Sequence, residues 1–181
     1  SNLISKTAGD ISGKTILILG SGGTSKTAAY AAKTMGAARI YKATRKQDLI
    51  PDGDFEYITY DNIDKIADFT DIIINTTPVG MFPNTDASPI NISLFKNLSA
   101  VVDAVYNPLK TKLVYTAEKE NIPAETGLYM LVSQAVKAAE LFTGEKISEE
   151  TLNKIFSDIL KSKQNIVLIG MPGCGKTTVG K

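Results

Sequence analysis

Short apolar runs that alternate with helical patterns limit the fold of this 181-residue chain more than any other feature. The runs are five or six residues long and rich in β-branched side chains, as expected of buried strands. Because parallel strands need helical crossovers of this kind, we predict an α/β fold with a doubly wound parallel sheet. The predicted strands are TILIL (Thr15–Leu19), ARIYKA (Ala38–Ala43), FEYITY (Phe55–Tyr60), DIIIN (Asp71–Asn75) and AVVDAV (Ala100–Val105).

Other stretches have the composition or the spacing of helices. Gly36 closes the first of them, in the position that a C′ glycine takes. Asp61 is the expected N-cap of a short second helix, and Pro108 opens a turn into the third. The stretches are SKTAAYAAKTMG (Ser25–Gly36), DNIDKIADF (Asp61–Phe69), TKLVYTAEKEN (Thr111–Asn121), LYMLVSQAVKAAELFTG (Leu128–Gly144) and SEETLNKIFSDILKS (Ser148–Ser162).

The composition narrows the classes of function. The formal net charge is +1, and the sequence has one cysteine, Cys174, and no histidine. A nearly neutral chain argues against nucleic-acid and membrane-surface binding, and no apolar run is long enough to span a membrane. One cysteine without histidine excludes an internal disulfide and the usual zinc sites. We therefore expect a cytoplasmic protein without a nucleic-acid, membrane or metal partner.

The turn between the first strand and the first helix contains three glycines and resembles a phosphate-binding loop. Glycines permit a tight turn and a close approach of the backbone to a pyrophosphate, and the following helix offers unpaired N–H groups. This pattern is that of a Rossmann-type dinucleotide-binding domain, with Ser25 as its third small residue. A glycine-rich turn without a ligand is the alternative. The predicted phosphate-binding residues are Gly20, Ser21, Gly22, Gly23 and Thr24.

The residues after the second strand, Thr44, Arg45 and Lys46, indicate which dinucleotide is bound. An NAD site usually has an acidic residue there for the ribose 2′-hydroxyl, but the first acid here is Asp48. Two cations and a hydroxyl suit a 2′-phosphate, since arginine can donate to its oxygens while stacking on the adenine. We therefore predict NADP as the cofactor, with a solvated basic loop as the alternative.

Five motifs in one continuous order carry a family resemblance. The loop Gly20–Lys26 fits the pattern G-x-G-G-[AT]-[SA]-[KR], and Arg45 occupies the arginine position of an Asn-Arg-Thr cluster whose neighbours differ here. The other three motifs are NTTPVGMFPN (75–84), DAVYNPLKTKL (103–113) and GLYMLVSQAVKAAELFTG (127–144). Together they make the chain resemble the C-terminal NADP-binding domain of the shikimate dehydrogenase family.

The resemblance implies the NADPH-dependent reduction of 3-dehydroshikimate to shikimate, a reversible step of aromatic amino-acid biosynthesis. It places Tyr106 and Gln134 against the substrate, where a phenol and an amide can both donate and accept hydrogen bonds. Without the family pattern, these side chains would pass for an ordinary strand-end and helix-surface residue. Along the nicotinamide half of the cofactor the resemblance places Asn75, Thr76, Thr77, Gly127 and Met130.

Complete members of the family begin with a substrate domain that supplies a catalytic lysine and aspartate, and its motifs do not occur in this sequence. Lys6 lies in a polar lead-in without those surroundings, so we assign no catalytic residue. We expect the chain by itself to bind NADP(H) without turning over shikimate, and the missing N-terminal domain to be a partner. An apolar helix face makes a homo-oligomer a further expectation. That face consists of Leu152, Ile155, Phe156 and Ile159.

Two alternatives stay open. One is a non-catalytic NADP-binding module. The other is a dehydrogenase of quinate, or of both quinate and shikimate, because the residues that separate these substrates belong mostly to the substrate domain.

The C-terminal run GMPGCGKT (Gly170–Thr177) matches the phosphate-binding pattern G-x-x-x-x-G-K-[ST] and resembles the start of shikimate kinases. Gly175, Lys176 and Thr177 are its ATP-binding positions. We expect no kinase activity, because the residues after Thr177 are too few for the helix that such a loop needs. We predict an NADP-binding Rossmann domain over residues 1–160, then a linker and a truncated kinase start over 161–181, derived from a bifunctional fusion.

Overall fold

The fold is built on one six-stranded sheet. The structure is a computed structural model, and it describes residues 2–45, 55–163 and 171. The strand order is β3-β2-β1-β4-β5-β6, and each neighbouring pair is parallel. This is the doubly wound Rossmann order, so the predicted α/β fold class is confirmed. The strands are β1 (Thr15–Leu19), β2 (Arg39–Thr44), β3 (Glu56–Thr59), β4 (Ile72–Asn75), β5 (Ala100–Asp103) and β6 (Ala124–Glu125).

The helices divide between two compact units, residues 1–146 and residues 147–181. The first unit contains the sheet and α1 to α5, and the second contains α6. The domain boundary predicted at residue 160 falls inside α6 and stays a prediction. The helices are α1 (Asn2–Ala8), α2 (Gly23–Thr34), α3 (Asp64–Ala67), α4 (Lys112–Lys119), α5 (Leu128–Thr143) and α6 (Glu149–Ser162).

Both faces of the sheet are buried at its central strands. On one face, Leu17 and Leu19 of β1 belong to an apolar cluster with Ile66 of α3 and Leu113 of α4. Successive side chains of a strand point to opposite faces, and the intervening residue Ile18 is also fully buried. The second face is therefore covered as well; α2 packs against β1 and β2, and α1 against β5.

Of the two helix ends predicted from capping residues, one agrees with the structure and one does not. Gly36 has a φ of +87° beyond α2, and the N–H of Ala37 donates to the Ala32 carbonyl at 3.1 Å, as in a glycine C-cap. The N-cap prediction for Asp61 is wrong. Asp61 lies in a short 3₁₀ turn, Tyr60–Asn62, and α3 begins only at Asp64. The chain tightens into that turn before it can start a regular helix.

Two elements escaped the sequence prediction. The polar lead-in is the helix α1, whose residues Leu3 and Ile4 are buried. Lys6 of α1 forms an ion pair with Glu125, 2.8 Å between Nζ and Oε2, and lies over the ring of Tyr129. The other missed element is β6, which has only two residues and therefore gives no periodicity.

No helix within residues 2–45 and 55–163 has both the length and the apolar character that crossing a membrane requires.

Candidate functional site

Three strands of the sheet end at the same level at its carboxyl edge. Leu19, the last residue of β1, pairs with Asn75, the last of β4, and Asn75 pairs with Asp103, the last of β5. The strand order changes direction at β1, where β2 lies on one side and β4 on the other. In open α/β sheets, the crevice at such a switch point is where ligands bind.

Gly20 joins β1 to this crevice, and no other residue type fits there. Its φ is +107°, and its N–H donates to the Ala43 carbonyl of β2 at 3.0 Å. A Cβ at this position would lie 2.9 Å from Thr76 Oγ1 and 3.1 Å from Thr77 Cγ2. Because Gly20 has no side chain, the loops after β1 and β4 can touch. This contact brings Gly20 together with Thr76 and Thr77, predicted site residues that are 55 or more positions away in the sequence.

Gly22 and Gly23 differ from Gly20, since neither packing nor backbone conformation requires a glycine there. A Cβ on either would meet nothing within 4 Å, and Gly22 has an ordinary φ of −78°. Gly22 is the N-cap of α2, and no side-chain cap bond occupies the first N–H groups of that helix; Gly22 and Gly23 are both exposed. A cradle of exposed backbone donors at a helix N-terminus suits an anion such as a pyrophosphate.

The remaining loop residues divide by exposure. Ser21 and Thr24 are exposed beside the open cradle. Ser25 is fully buried under it, and its hydroxyl has no hydrogen-bond partner within the described part of the chain. The sequence pattern assigned Ser25 the packing position of the loop, and its burial agrees with that role.

The end of β2 presents a positive charge at the same edge. Thr44 is buried, whereas the next residue, Arg45, is exposed. Arg45 is close to Tyr60, which follows the neighbouring strand β3: burial raises the pKa of the Tyr60 phenol, and the charge of Arg45 opposes that rise. Lys46, the second predicted cation, lies outside the described residues. Arg45 and Tyr60 thus lie at the end of the candidate site that follows β2 and β3.

A closed polar network occupies the ends of β4 and β5. The fully buried amide of Asn75 donates from Nδ2 to Asp103 Oδ1 at 2.9 Å. Its Oδ1 accepts from the backbone N–H of Thr77 at 3.0 Å and from Thr77 Oγ1 at 2.7 Å. Thr76 Oγ1 donates to the Leu19 carbonyl at 2.6 Å. The predicted Asn75–Thr77 segment is thus tied to both β1 and β5.

Asp103 is the buried centre of this network. Its Oδ1 also accepts from the Val105 N–H at 3.0 Å, and its Oδ2 accepts from Thr111 Oγ1 at 2.7 Å. Burial raises the pKa of the Asp103 carboxyl above its ordinary value, and the hydrogen bonds from Val105, Thr111 and Asn75 oppose that rise. Desolvation is therefore the dominant influence on the charge of this group.

Gly127 fits against the chain that follows β5. A Cβ here would lie 2.1 Å from the Ala104 carbonyl oxygen. Its N–H donates to the Val105 carbonyl at 2.9 Å, and α5 begins at the next residue. Met130, one turn into α5, is half-buried. Gly127 therefore lies against the residues that follow β5, and Met130 is three residues further along the chain.

The two predicted substrate residues are both accessible. The Tyr106 side chain is 48% exposed, and Gln134 is exposed on α5. Neither makes a side-chain hydrogen bond within residues 2–45 and 55–163, so both polar groups are available to a ligand. The predicted ATP-binding positions Gly175, Lys176 and Thr177 lie outside the described residues.

Sequence reasoning missed Asp103, Thr111 and Tyr60 as parts of the site. The signal for Asp103 was present, because a carboxylate ending an otherwise apolar strand must find hydrogen-bond donors. The Thr111 hydroxyl has two functions, since it also accepts from the Val114 N–H as the N-cap of α4. No sequence spacing reveals that second contact.

Comparisons with known proteins point to one family. No protein-family model matches the chain. The NADP(+)-dependent shikimate dehydrogenase of Methanosphaera stadtmanae is 36% identical over 153 residues, which are 78% of this chain and 54% of that protein. The chain therefore spans about half the length of the curated relatives that it matches.

Solved structures agree in fold and sequence. Shikimate dehydrogenase 1 from Peptoclostridium difficile is 32% identical with a TM-score of 0.82, covering 91% of this chain and 61% of that one. A shikimate dehydrogenase solved in complex with NADP+ is 27% identical with a TM-score of 0.70, covering 87% and 58%. Both similarities thus extend over most of this chain.

Proposed function

We propose that this chain is the NADP(H)-binding domain of a shikimate dehydrogenase. One observation carries the proposal: Gly22 and Gly23 leave an open cradle at the N-terminus of α2, at the switch point of the sheet. Nothing in the packing asks for glycine there, whereas a pyrophosphate does. One relative named above is an NADP(+)-dependent shikimate dehydrogenase, and another was solved in complex with NADP+, which supports NADP rather than another anion.

The residues of the site have distinct functions in this proposal. The first N–H groups of α2 bind the pyrophosphate. Thr44, Arg45 and Lys46 bind the 2′-phosphate, and the Asn75–Thr77 segment with Gly127 and Met130 shapes the space for the nicotinamide half. Tyr106 and Gln134 bind the hydroxyls or the carboxylate of the substrate. When bound, NADPH supplies the hydride that reduces the carbonyl of 3-dehydroshikimate.

The test is a binding titration of NADPH against NADH. We expect the chain to prefer NADPH, and Arg45→Ala to weaken NADPH binding on the order of tenfold or more, since a hydrogen bond to a charged group contributes about 1.5–3 kcal/mol. Binding of NADH should change little in the same variant. Equal affinity of the wild type for the two cofactors would refute the 2′-phosphate site.

The sheet itself offers a matched control. Arg39 is exposed like Arg45 and lies on the same strand, but at the amino end of β2. Arg39→Ala removes the same charge from the opposite edge, so we expect NADPH binding to stay within about twofold of the wild type at physiological ionic strength, where distant exposed charges are screened.

We also propose that these 181 residues, assayed by themselves, bind NADP(H) without oxidising shikimate. Reduction of a carbonyl needs a proton donor placed at its oxygen. In the described part of the site, the buried carboxylate Asp103 is already enclosed by three hydrogen bonds. Ordinary NADP-dependent turnover of shikimate by the chain alone would contradict this proposal.

A non-catalytic NADP-binding module and a dehydrogenase of quinate stay as alternatives. Joining the chain to the substrate domain of a relative separates them: a dehydrogenase domain restores turnover of shikimate or quinate, and a sensor module does not. We also propose that Gly170–Thr177 is the start of a kinase-like unit from a fused parent; the parent sequence beyond Lys181 tests this directly.

Self-association through the apolar face of α6 and a cytoplasmic location belong to the same proposal. The apolar residues of α6 recur at helical spacing, and the one cysteine suits a reducing compartment. A monomeric mass at high protein concentration would contradict the self-association.

A further inference from the structure

The burial of Asp103 costs free energy of folding that an apolar residue at the end of β5 would not. It is a fully buried carboxylate whose three donors, Asn75 Nδ2, the Val105 N–H and Thr111 Oγ1, are all neutral. Burying a carboxylate is expensive even when it is hydrogen-bonded. An apolar residue would end β5 at a lower cost, so the contacts of Asp103 need a further explanation.

The first of these contacts fixes the orientation of Asn75. An amide side chain can be rotated by half a turn, which exchanges its donor and its acceptor. The ionised Asp103 carboxylate can only accept, so it holds Nδ2 of Asn75 towards itself. Oδ1 must then face Thr77, where it accepts both from the backbone N–H and from the hydroxyl.

Thr77 transmits this orientation to the cofactor crevice. Its Cγ2 is the second-nearest atom to the position that a Cβ on Gly20 would occupy, at 3.1 Å. Its hydroxyl also accepts from the Val79 N–H at 3.3 Å, so the Asn75 amide controls the course of the chain after β4. The Asp103 carboxylate is therefore connected to the wall of the crevice through two side chains.

We propose that Asp103 is a positioning residue for the nicotinamide half of the cofactor, acting through Asn75 and Thr77. This inference rests on the proposed NADP(H) binding. Arg45, which we propose binds the adenine half, follows β2 on the other side of the switch point, and the hydrogen bonds of this network do not include it. The two halves of the cofactor should therefore respond differently when Asp103 is replaced.

The decisive variant is Asp103→Ser. A serine hydroxyl can still accept from the N–H two residues on, as in an ST-turn with Val105, but it is too short to reach Asn75. We expect NADPH binding to weaken on the order of tenfold, the equivalent of about one hydrogen bond. Binding of 2′,5′-ADP, which lacks the nicotinamide half, should stay within about twofold.

Two further variants separate positioning from structure and from charge. In Asp103→Asn, Oδ1 can still accept from Asn75 and Val105 while the new amide donates to Thr111 Oγ1, so NADPH binding should be retained. Thr111→Val removes a hydrogen bond of the same carboxylate and the N-cap of α4, but leaves Asn75 in place. It should lower stability without changing the ratio of the two affinities.

The outcomes distinguish this inference from the proposed function. If the wild type binds neither NADPH nor 2′,5′-ADP, the proposed function fails and the positioning proposal with it. If the wild type binds both, but Asp103→Ser weakens both equally or neither, only the positioning proposal is overturned. Loss of NADPH binding in Asp103→Asn would likewise overturn it, because the charge rather than the geometry would then be the cause.

Discussion

Two neighbouring parts of one sheet edge are built in opposite ways. The loop after β1 is open: Gly22 and Gly23 have free space where side chains would be, and the backbone itself is the proposed binding surface. The ends of β4 and β5 are closed: Asn75 and Asp103 are fully buried, and their polar atoms are used by one another. We propose that the first part binds a ligand mainly through N–H groups, and that the second shapes the space beside it.

The glycines show the same contrast within one residue type. A Cβ on Gly127 would collide with the backbone of Ala104, whereas a Cβ on Gly22 would meet nothing within 4 Å. The same mutation at these two positions should therefore damage different properties: stability at Gly127 and binding at Gly22. Replacing each by alanine tests the division directly.

The largest effect is expected for Gly127→Ala. The new Cβ would lie 2.1 Å from a carbonyl oxygen and 2.7 Å from its carbon, and backbone atoms cannot rotate away as side chains do. We expect a loss of about 3 kcal/mol or more in the free energy of unfolding, or failure to fold. Urea unfolding followed by circular dichroism measures it. A change below about 1 kcal/mol would show that the backbone at the β5 end can move aside for a Cβ at Gly127.

Gly22→Ala should leave stability almost unchanged and damage binding. Its φ of −78° is allowed for alanine, so the free energy of unfolding should change by less than about 1 kcal/mol, the scale of an N-cap replacement. NADPH binding should weaken about tenfold or more, because the methyl group occupies the space through which the pyrophosphate approaches.

The matched control for Gly22→Ala is a smaller ligand. Adenosine 2′-monophosphate has no pyrophosphate, so its affinity should not respond to the added methyl group. Unchanged NADPH binding in a folded Gly22→Ala protein would show that the open loop is not the phosphate site.

What the sequence predicted follows the same division. The open part could be predicted from the sequence, because its glycines and its cation lie in one short stretch. Gly20, Gly22 and Arg45 are close in the chain. Five of the six strands were also predicted, because buried parallel strands are continuous apolar runs. The two-residue β6 was not, as it has no pattern of its own.

The closed part, at the ends of β4 and β5, could be predicted only in part. Asn75 and Thr77 were identified through family motifs, but the bond between Asn75 and Asp103 joins residues 28 positions apart. Thr111 caps a helix and binds a carboxylate at the same time, and such a double function has no sequence signature. Contacts of this kind depend on strand register, which only the folded sheet determines.

A smaller effect, and one confined to the closed half, is the pH dependence of stability. The pKa of Asp103 is raised in the folded state above its ordinary value of 3.8. The folded protein then holds this proton to a higher pH than the unfolded chain. The contribution of Asp103 to stability is greatest below the ordinary pKa and declines as the pH rises to the folded-state pKa, above which it is constant.

Asp103→Asn isolates this contribution, because asparagine does not titrate. We expect the stability of the wild type relative to Asp103→Asn to fall with rising pH across that window, by at most about 1.4 kcal/mol per pH unit for one proton. Urea unfolding of both proteins between about pH 3 and pH 7 measures the difference. A difference that rises with pH would mean that the three hydrogen bonds outweigh burial.

The smallest expected effect concerns Ser25, which lies in the first turn of α2, next to the open loop, and is fully buried. Its hydroxyl is buried without a hydrogen-bond partner among the described residues, an arrangement that costs stability. Ser25→Ala removes the hydroxyl and improves helix propensity, so we expect a gain of about 0.5–1 kcal/mol in the free energy of unfolding. Ser21→Ala, at an exposed position of the same loop, should change it by less than about 0.5 kcal/mol.

The NADPH affinity of Ser25→Ala shows whether the Ser25 hydroxyl belongs to the open part or to the closed part of the site. If the division between open backbone and closed side chains holds, Ser25→Ala gains stability and leaves NADPH affinity unchanged, because the hydroxyl lies beneath the cradle and does not face it. If the variant instead weakens NADPH binding, the hydroxyl turns outward when the cofactor is present. The open part of the site would then use a side chain as well as its backbone, and the contrast between the two parts would be one of degree.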